Sequence, residues 1–203
     1  MTTYETEVKI YYPDLDTLEK QIIDAGGTLS QERVYERNVR YDLDDRSLTD
    51  RGIVVRLRQD HAVRLTYKEP GNIEQGIITR EELEVEVSDF ETMQTILSKF
   101  GYEPSMFYEK YRTTYHCHNT EIMLDELPYG NFIEVEGKSK DIETVLSQLG
   151  LSDVERQQDS YAKLFGYVKH HLSLTFKDLT FENFADIDIP KSAFIPPGSI
   201  VVG

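Results

Sequence analysis

Glu5 and Glu7 stand two residues apart in Glu5-Thr6-Glu7-Val8-Lys9, and Glu134 and Glu136 repeat that acidic spacing in Ile133-Glu134-Val135-Glu136. On a strand, residues two apart point to the same face. At a rise of roughly 3.3 Å per residue, such carboxylates lie about 7 Å apart along the strand, close enough to share a hard cation. Magnesium and manganese prefer oxygen donors and are held by a few carboxylates plus oxygens of a bound anion. Glu5, Glu7, Glu134 and Glu136 are the expected cage, with Asp125, Glu82 and Glu84 as further donors. Arginine pairs supply the complementary chemistry, because the guanidinium fork donates two parallel hydrogen bonds to phosphate oxygens. Arg56, Arg58 and Arg112 fit that role, with Lys9, Lys68, Arg80 and Lys110 adding positive charge.

These residues belong to windows that alternate with period two, the signature of strands. Strands are expected at 4–11, 36–42, 53–59, 63–68, 77–87, 107–116, 120–126 and 131–138, and helices at 15–25, 90–100, 142–149 and 159–170. Asp14 or Asp16 can cap the first helix, and Gly26-Gly27 ends it. Asp89 precedes the second, whose stripe of Phe90, Met93, Ile96, Leu97 and Phe100 closes at Gly101. Both stripes read as covers for a sheet.

Strand by strand, the charges share one face and the apolar residues the other. Glu5, Glu7 and Lys9 oppose Thr6, Val8 and Ile10; Arg56 and Arg58 oppose Val55 and Leu57; Glu82, Glu84 and Glu86 oppose Leu83, Val85 and Val87. A half-wet antiparallel sheet explains any one of these strands. If about eight of them close into a barrel, the charged face becomes the lumen and the apolar face turns outward under the helices. Like charges in a lumen repel unless something sits between them, and a polyanion with divalent cations satisfies both signs at once.

The whole ordered set resembles the CYTH domain, the triphosphate tunnel metalloenzymes, a family that includes class IV adenylyl cyclases, thiamine triphosphatases and inorganic triphosphatases. Its glutamate signature stands as Glu5-Thr6-Glu7-Val8-Lys9. In order there follow Tyr41-Asp42, Arg56-Leu57-Arg58, Leu65-Thr66-Tyr67-Lys68, Arg80-Glu81-Glu82-Leu83-Glu84, Lys110-Tyr111-Arg112, Leu124-Asp125-Glu126-Leu127 and Phe132-Ile133-Glu134-Val135-Glu136-Gly137. Ser160-Tyr161-Ala162-Lys163-Leu164 resembles the final helix. The resemblance implies an α+β fold built on a closed antiparallel eight-stranded β-barrel with flanking helices, occupying 1–165. It implies a bound triphosphate-containing small molecule and Mg2+ or Mn2+. Glu5, Glu7, Glu134 and Glu136 would then hold metal, and Lys9, Arg56, Arg58, Lys68, Arg112 and Lys163 the phosphates. Catalysis would fall to Glu7, Lys9, Glu134 and Glu136.

Hydrolysis and cyclisation of ATP share these sites, so the tunnel mouth must decide between them. The class IV cyclases resemble one another in a His-Phe pair before the glutamates, where Met1-Thr2-Thr3-Tyr4 stands here. Stacking of an organic ring would fall to Tyr35, Tyr41, Tyr67, Tyr108 or Tyr129, since the chain has no tryptophan. Inorganic tripolyphosphate needs no platform and is the expected substrate, ahead of cyclisation, then thiamine or nucleoside triphosphates. A non-catalytic module that binds polyphosphate or nucleotide uses the same grip.

The net charge of −15 over 203 residues argues against nucleic-acid and membrane-surface partners, which call for a basic face. Cys117 alone allows no intrachain disulfide, and no apolar run approaches bilayer length, so the cytoplasm is the expected compartment. A homodimer is compatible with the pattern. His61, His116 and His118 read as structural or solvated, and His170-His171 as charges favourable to a helix end. Gly71 to Gly76 read as a hairpin loop at the rim. The segment 166–203, with Pro190, Pro196 and Pro197, reads as an extension of unassigned role that packs on the barrel, crosses to a neighbour or stays mobile.

Overall fold

The computed structural model describes residues 3–199; Met1, Thr2 and 200–203, the last four residues of the expected extension, lie outside the described residues. In chain order the elements are β1 (Thr3–Tyr11), α1 (Leu15–Asp24), β2 (Thr28–Asp42), α2 (Ser47–Asp50), β3 (Val54–Gln59), β4 (Val63–Lys68), β5 (Asn72–Glu74), β6 (Ile77–Val87), α3 (Phe90–Lys99), β7 (Glu103–Cys117), β8 (Thr120–Leu127), β9 (Gly130–Gly137), α4 (Ser139–Gln148), α5 (Tyr161–Leu172), α6 (Phe181–Phe184) and a 3-10 turn (Lys191–Phe194). All pairings in the sheet are antiparallel, in the order β1-β9-β8-β7-β2-β3-β4-β6, and β6 pairs back onto β1 to close an eight-stranded barrel. The ninth strand, β5, lies on the same edge of β6 as β4 does and forms the expected rim hairpin. Its turn needs positive φ at Gln75 (52°) and Gly76 (77°), and a Cβ at Gly76 would stand 2.8 Å from Cδ of Arg156.

The apolar residues face outward and three helical covers bury them. α1 and α4 place Leu18, Ile22, Ile142, Val145 and Leu146 over Val8, Ile10, Ile122, Leu124, Ile133 and Val135. α3 seats Phe90 and Leu97 on Val39, Tyr41, Val55 and Leu57. The helix starts follow the capping chemistry: Asp14 accepts from the Thr17 amide at 3.1 Å and Asp89 from that of Thr92 at 2.8 Å. Among the described residues no helix is long and apolar enough to cross a membrane.

The third cover consists of α5 and the segment beyond it. β8 pairs with only the second half of β7, from Tyr111 onward, which leaves the first half of β7 with a bare edge. Residues 177–181 fill that edge. The Phe107 amide donates to Asp178 Oδ1 (2.9 Å), the Leu179 amide to the Phe107 carbonyl (3.0 Å), the Glu109 amide to the Leu179 carbonyl (3.0 Å), and the Phe181 amide to Glu109 Oε2 (2.9 Å). The chain then returns to bury Phe184, Ala193 and Phe194 with Leu164, Phe165 and Val168 of α5. Phe194 packs against Tyr11, Tyr129 and Phe132 with ring centroids 5.0, 5.4 and 5.7 Å apart, an aromatic plug on the end of the barrel where β1 finishes.

Several boundaries differ from the expected ones for physical reasons. β2 begins at Thr28 rather than 36, because register shifts at Leu29/Gln31 and Gln31/Val34 break the alternation of Ser30-Gln31-Glu32-Arg33. α2 is a single turn organised by Asp42, whose carboxylate accepts from the amides of Leu43 (2.8 Å), Leu48 (3.0 Å) and Thr49 (3.0 Å). Truncating Phe194 to Ala should cost about 3–5 kcal/mol and lower the melting temperature by about 10 °C, measured by circular dichroism. An unchanged melt would mean that the plug does not stabilise the barrel.

Candidate functional site

Closing the barrel brings the alternating charges into one cavity of about 1330 Å³. Register sets who meets whom. Glu7 lies directly opposite Glu136, and Lys9 opposite Glu134, across β1 and β9; Glu136 in turn faces Glu121 across β8. Arg56 and Arg58 face Thr66 and Arg64 across β4, and Thr66 and Lys68 face Glu84 and Glu82 across β6. Of the residues expected in the site, Glu5, Glu7, Lys9, Arg56, Arg58, Lys68, Arg80, Glu82, Glu84, Lys110, Arg112, Glu134, Glu136 and Lys163 all line the cavity. Asp125 does not.

The charges are paired in a belt that runs nearly once around the lumen. Arg80 bridges Glu5 and Glu7 at 2.8 Å each; Lys68 reaches both oxygens of Glu5 and one of Glu82 at 2.9 Å. Glu84 accepts from Thr66 (2.8 Å) and lies 3.5 Å from Arg58 and 3.8 Å from Arg56. Arg112 reaches Glu134 at 2.5 Å, and Lys9 joins the same carboxylate at 3.2 Å. Lys9 also sits over the Tyr161 ring, 4.3 Å from its centroid.

Two carboxylates stand behind the wall. Asp125, fully buried, takes both Nε and Nη2 of Arg112 (2.6 Å), Nζ of Lys110 (2.9 Å) and the hydroxyl of Tyr161 (2.8 Å). Those four bonds occupy its oxygens, so it orients bases instead of standing open to a cation, the geometry that differs most from the expected donor set. Glu36 lies 3.5 Å from Lys110 and 3.8 Å from Arg58 and Arg112. Burial works against its charge, yet Lys110, Arg112, Arg58 and Arg56 together hold its carboxyl down to about 2. Sequence reasoning passed over Glu36; the signal was its parity with Asn38 and Arg40, opposite to Val39 and Tyr41.

The acidic side of the cavity is not neutralised in the same way. Glu5 is held down to about 2, burial being outweighed by Lys68 and Arg80. Glu134 is likewise held well below the usual range, chiefly by Lys9 and Arg112 against its burial. Glu7, in contrast, is pushed up by burial and by Glu134, and Glu136 is pushed up to about 7 by burial with the charges of Glu5 and Glu7. No three His, Cys, Asp or Glu among the described residues already converge as a ligand cluster. The surplus negative charge at Glu7 and Glu136, directly opposite one another with only oxygen donors, nonetheless fits a hard divalent ion.

The remaining expectations divide. Lys163 reaches the cavity wall, but its ammonium bonds Asp159 at 2.6 Å and its side chain is 60% exposed. Of the five tyrosines considered for stacking, only Tyr108 lines the cavity, and its hydroxyl accepts from Arg56 at 3.4 Å. Tyr41 lies in the core under α3, Tyr35 bonds Glu109 and Tyr67 bonds Glu69, because odd positions on β2 and β4 point away from the lumen, and Tyr129, in the turn between β8 and β9, belongs to the aromatic plug. His171 accepts the structural role, its Nε2 2.8 Å from the Ile195 carbonyl.

A closed antiparallel barrel with an acid-and-base lumen defines a tunnel-type barrel fold. The CYTH domain matches residues 3–161, and the chain belongs to the CYTH family. A Methanocaldococcus jannaschii protein named as a "putative adenylate cyclase" is 26% identical over 174 residues, covering 80% of this chain and 98% of the relative. Among solved structures, a Vibrio parahaemolyticus protein also described as a putative adenylate cyclase superposes with a TM-score of 0.72 at 20% identity, covering 82% of this chain and 99% of that one. A Hippeastrum protein, described as a putative adenylyl cyclase that reveals a dominant triphosphatase activity, superposes with a TM-score of 0.59 at 16% identity, covering 85% and 97%. The family match stops at residue 161, where α5 begins, so most of α5 and the edge-filling strap after it lie beyond the matched residues.

Replacing Glu36 by Gln removes the buried carboxylate shared by Lys110, Arg58 and Arg112, and should cost about 3–5 kcal/mol of stability. Thermal melts should show part of that loss recovered by millimolar phosphate more in the variant than in the wild type. A variant as stable as the wild type, with no phosphate response, would remove Glu36 as the counter-ion of the cluster.

Proposed function

We propose that this chain is a divalent-metal-dependent triphosphatase whose substrate is inorganic tripolyphosphate. The observation that carries the reading is the sorting of one cavity into a basic wall, Arg56, Arg58, Lys68, Arg80, Lys110 and Arg112, and an acidic wall with surplus charge at Glu7 and Glu136. Mg2+ or Mn2+ would be held by Glu7 and Glu136, with Glu5 and Glu134 beside them, and would supply charge to the phosphoryl oxygens and a more acidic bound water. The protein's own residues do the rest. Arg56, Arg58 and Arg112 orient the phosphoryl oxygens bidentately, and Lys9, Lys68 and Lys110 stabilise charge that builds on the leaving diphosphate. Glu36 and Asp125 keep those bases charged and aimed. Glu134 fixes Lys9 and Arg112 toward the same point.

Names among the relatives point to cyclase and triphosphatase alike, and a shared fold does not separate them. Two features favour hydrolysis. The four residues before Glu5 hold no His-Phe pair, and Tyr108, which lines the cavity along with Tyr4, Tyr161, Phe165 and Tyr167, is engaged by Arg56. The cytoplasm remains the expected compartment.

Incubation of the purified protein with tripolyphosphate, ATP or thiamine triphosphate, each with Mg2+ or Mn2+, should release orthophosphate fastest from tripolyphosphate. Cyclic AMP and pyrophosphate from ATP would make it a cyclase, and tight binding without turnover a sensor. Glu7→Gln and Arg58→Ala should each lower kcat/KM at least a hundredfold with the barrel still folded; wild-type rates in either would remove the tunnel as the active site.

A further inference from the structure

Among the described residues, every lysine or arginine that a barrel strand contributes to the cavity wall has a carboxylate oxygen at 3.8 Å or closer, with one exception. Arg40 has none. Its strand register is fixed on both sides: it lies directly opposite Arg56 on β3 and Met106 on β7, and its carbonyl accepts from Ser105 Oγ at 3.1 Å. The acid nearest on its own face, Asp42, spends its carboxylate on the amides that build α2. Burial, with Arg56 beside it, pushes the Arg40 guanidinium below its ordinary value. A guanidinium that is half-buried, crowded by like charge and open to the cavity is a site that lacks its anion.

The surroundings extend the same sign toward the rim. The strap that completes the β7 edge carries Lys177 onto the cavity, where its ammonium donates to the Pro104 carbonyl at 2.9 Å, two residues along β7 from Met106. Arg46, at the turn into α2, lines the same end, and Glu103 is the acid there. The cavity, about 1330 Å³, is larger than the roughly 300–1,000 Å³ typical of small-ligand sites, which leaves room beyond a triphosphate.

We propose that Arg40 is an additional anion subsite, with Lys177 of the C-terminal strap at its mouth, so that linear phosphates longer than tripolyphosphate are the better substrates. This rests on the triphosphatase reading above and names its substrate class. Each turnover adds one water to the terminal phosphorus and breaks that phosphorus–bridging-oxygen bond. The products are orthophosphate and a chain one unit shorter, with the excess proton passing to solvent.

The test compares kcat/KM for orthophosphate release from tripolyphosphate and linear tetraphosphate, in the full-length wild type and in Arg40→Ala, Arg40→Lys and Lys177→Ala. The wild type should favour tetraphosphate about tenfold, the gain expected of one added charge-assisted contact. Arg40→Ala should abolish the preference through KM, Arg40→Lys should keep part of it, and Lys177→Ala should weaken it severalfold. Should Arg40→Ala not fold, Arg40→Lys and the exposed Lys177→Ala decide. A wild type that prefers tripolyphosphate, or variants that lose both substrates equally, would overturn the subsite while leaving the triphosphatase intact. Release from neither substrate would remove the triphosphatase reading and the subsite with it.

Discussion

A charge enclosed by a closed barrel has little water to turn to, and it is tolerated there when an opposite charge stands within hydrogen-bonding reach. That constraint organises this protein. Glu5, Glu7, Lys9, Glu36, Lys68, Lys110, Asp125 and Glu134 are all buried, and each finds its partner on a neighbouring or facing strand. The pairing depends on register: a slip of one residue in β1 would turn Glu5, Glu7 and Lys9 out under α4 and bring Val8 and Ile10 into the lumen. Belt and barrel therefore specify each other.

Because the lumen holds the charge, the hydrophobic driving force has to act on the outside of the barrel. α1, α3 and α4 each cover a sector of the wall with an apolar cluster between helix and strand, and α5 with the strap beyond it buries the third cluster over the barrel end. This inverts the usual half-wet sheet, and it explains why the covers are amphipathic helices of ten to twelve residues with side-chain N-caps on α1, α3 and α5. The strap beyond α5 belongs to the same logic. Without it the bare edge of β7 beside Tyr108 and Lys110 would face water, next to a segment that positions two lumen groups.

Much of this was legible in the sequence because both periodicities are strict where one face is wholly charged and the other wholly apolar. Strand β1 and strands β3, β4, β6 and β9 read almost to the residue, and the parity of Glu5, Arg56, Lys68 and Glu134 identified the inner face. What parity cannot supply is distance across the barrel. Asp125 shares the inner face of β8, yet lies behind the cavity because Lys110, Arg112 and Tyr161 close over it. Tyr35, Tyr41 and Tyr67 look suited to stacking, but stand at odd positions of strands whose even positions face in. The strap was illegible for another reason: Leu179, Phe184 and Phe194 follow no period, since each meets a different surface.

The two tiers of acid in the lumen carry different consequences. Glu36 and Asp125 are enclosed by three or more partners and stand away from the cavity, so a bound anion can add to their bases without displacing them. Glu5, Glu7 and Glu134 line the cavity, and the partners they hold are those a phosphate would also take. Binding of an anion together with a cation would then be an exchange: Arg80, Lys68 and Arg112 would trade carboxylate for anion, and the released carboxylates would be free to hold the cation. Each half would favour the other, since a metal would draw carboxylates off bases that then need an anion, and an anion would leave Glu7 and Glu136 more exposed to mutual repulsion. Coupled entry of the two charges is what an alternating lumen of this kind selects for, and it follows from the same pairing that lets the barrel close.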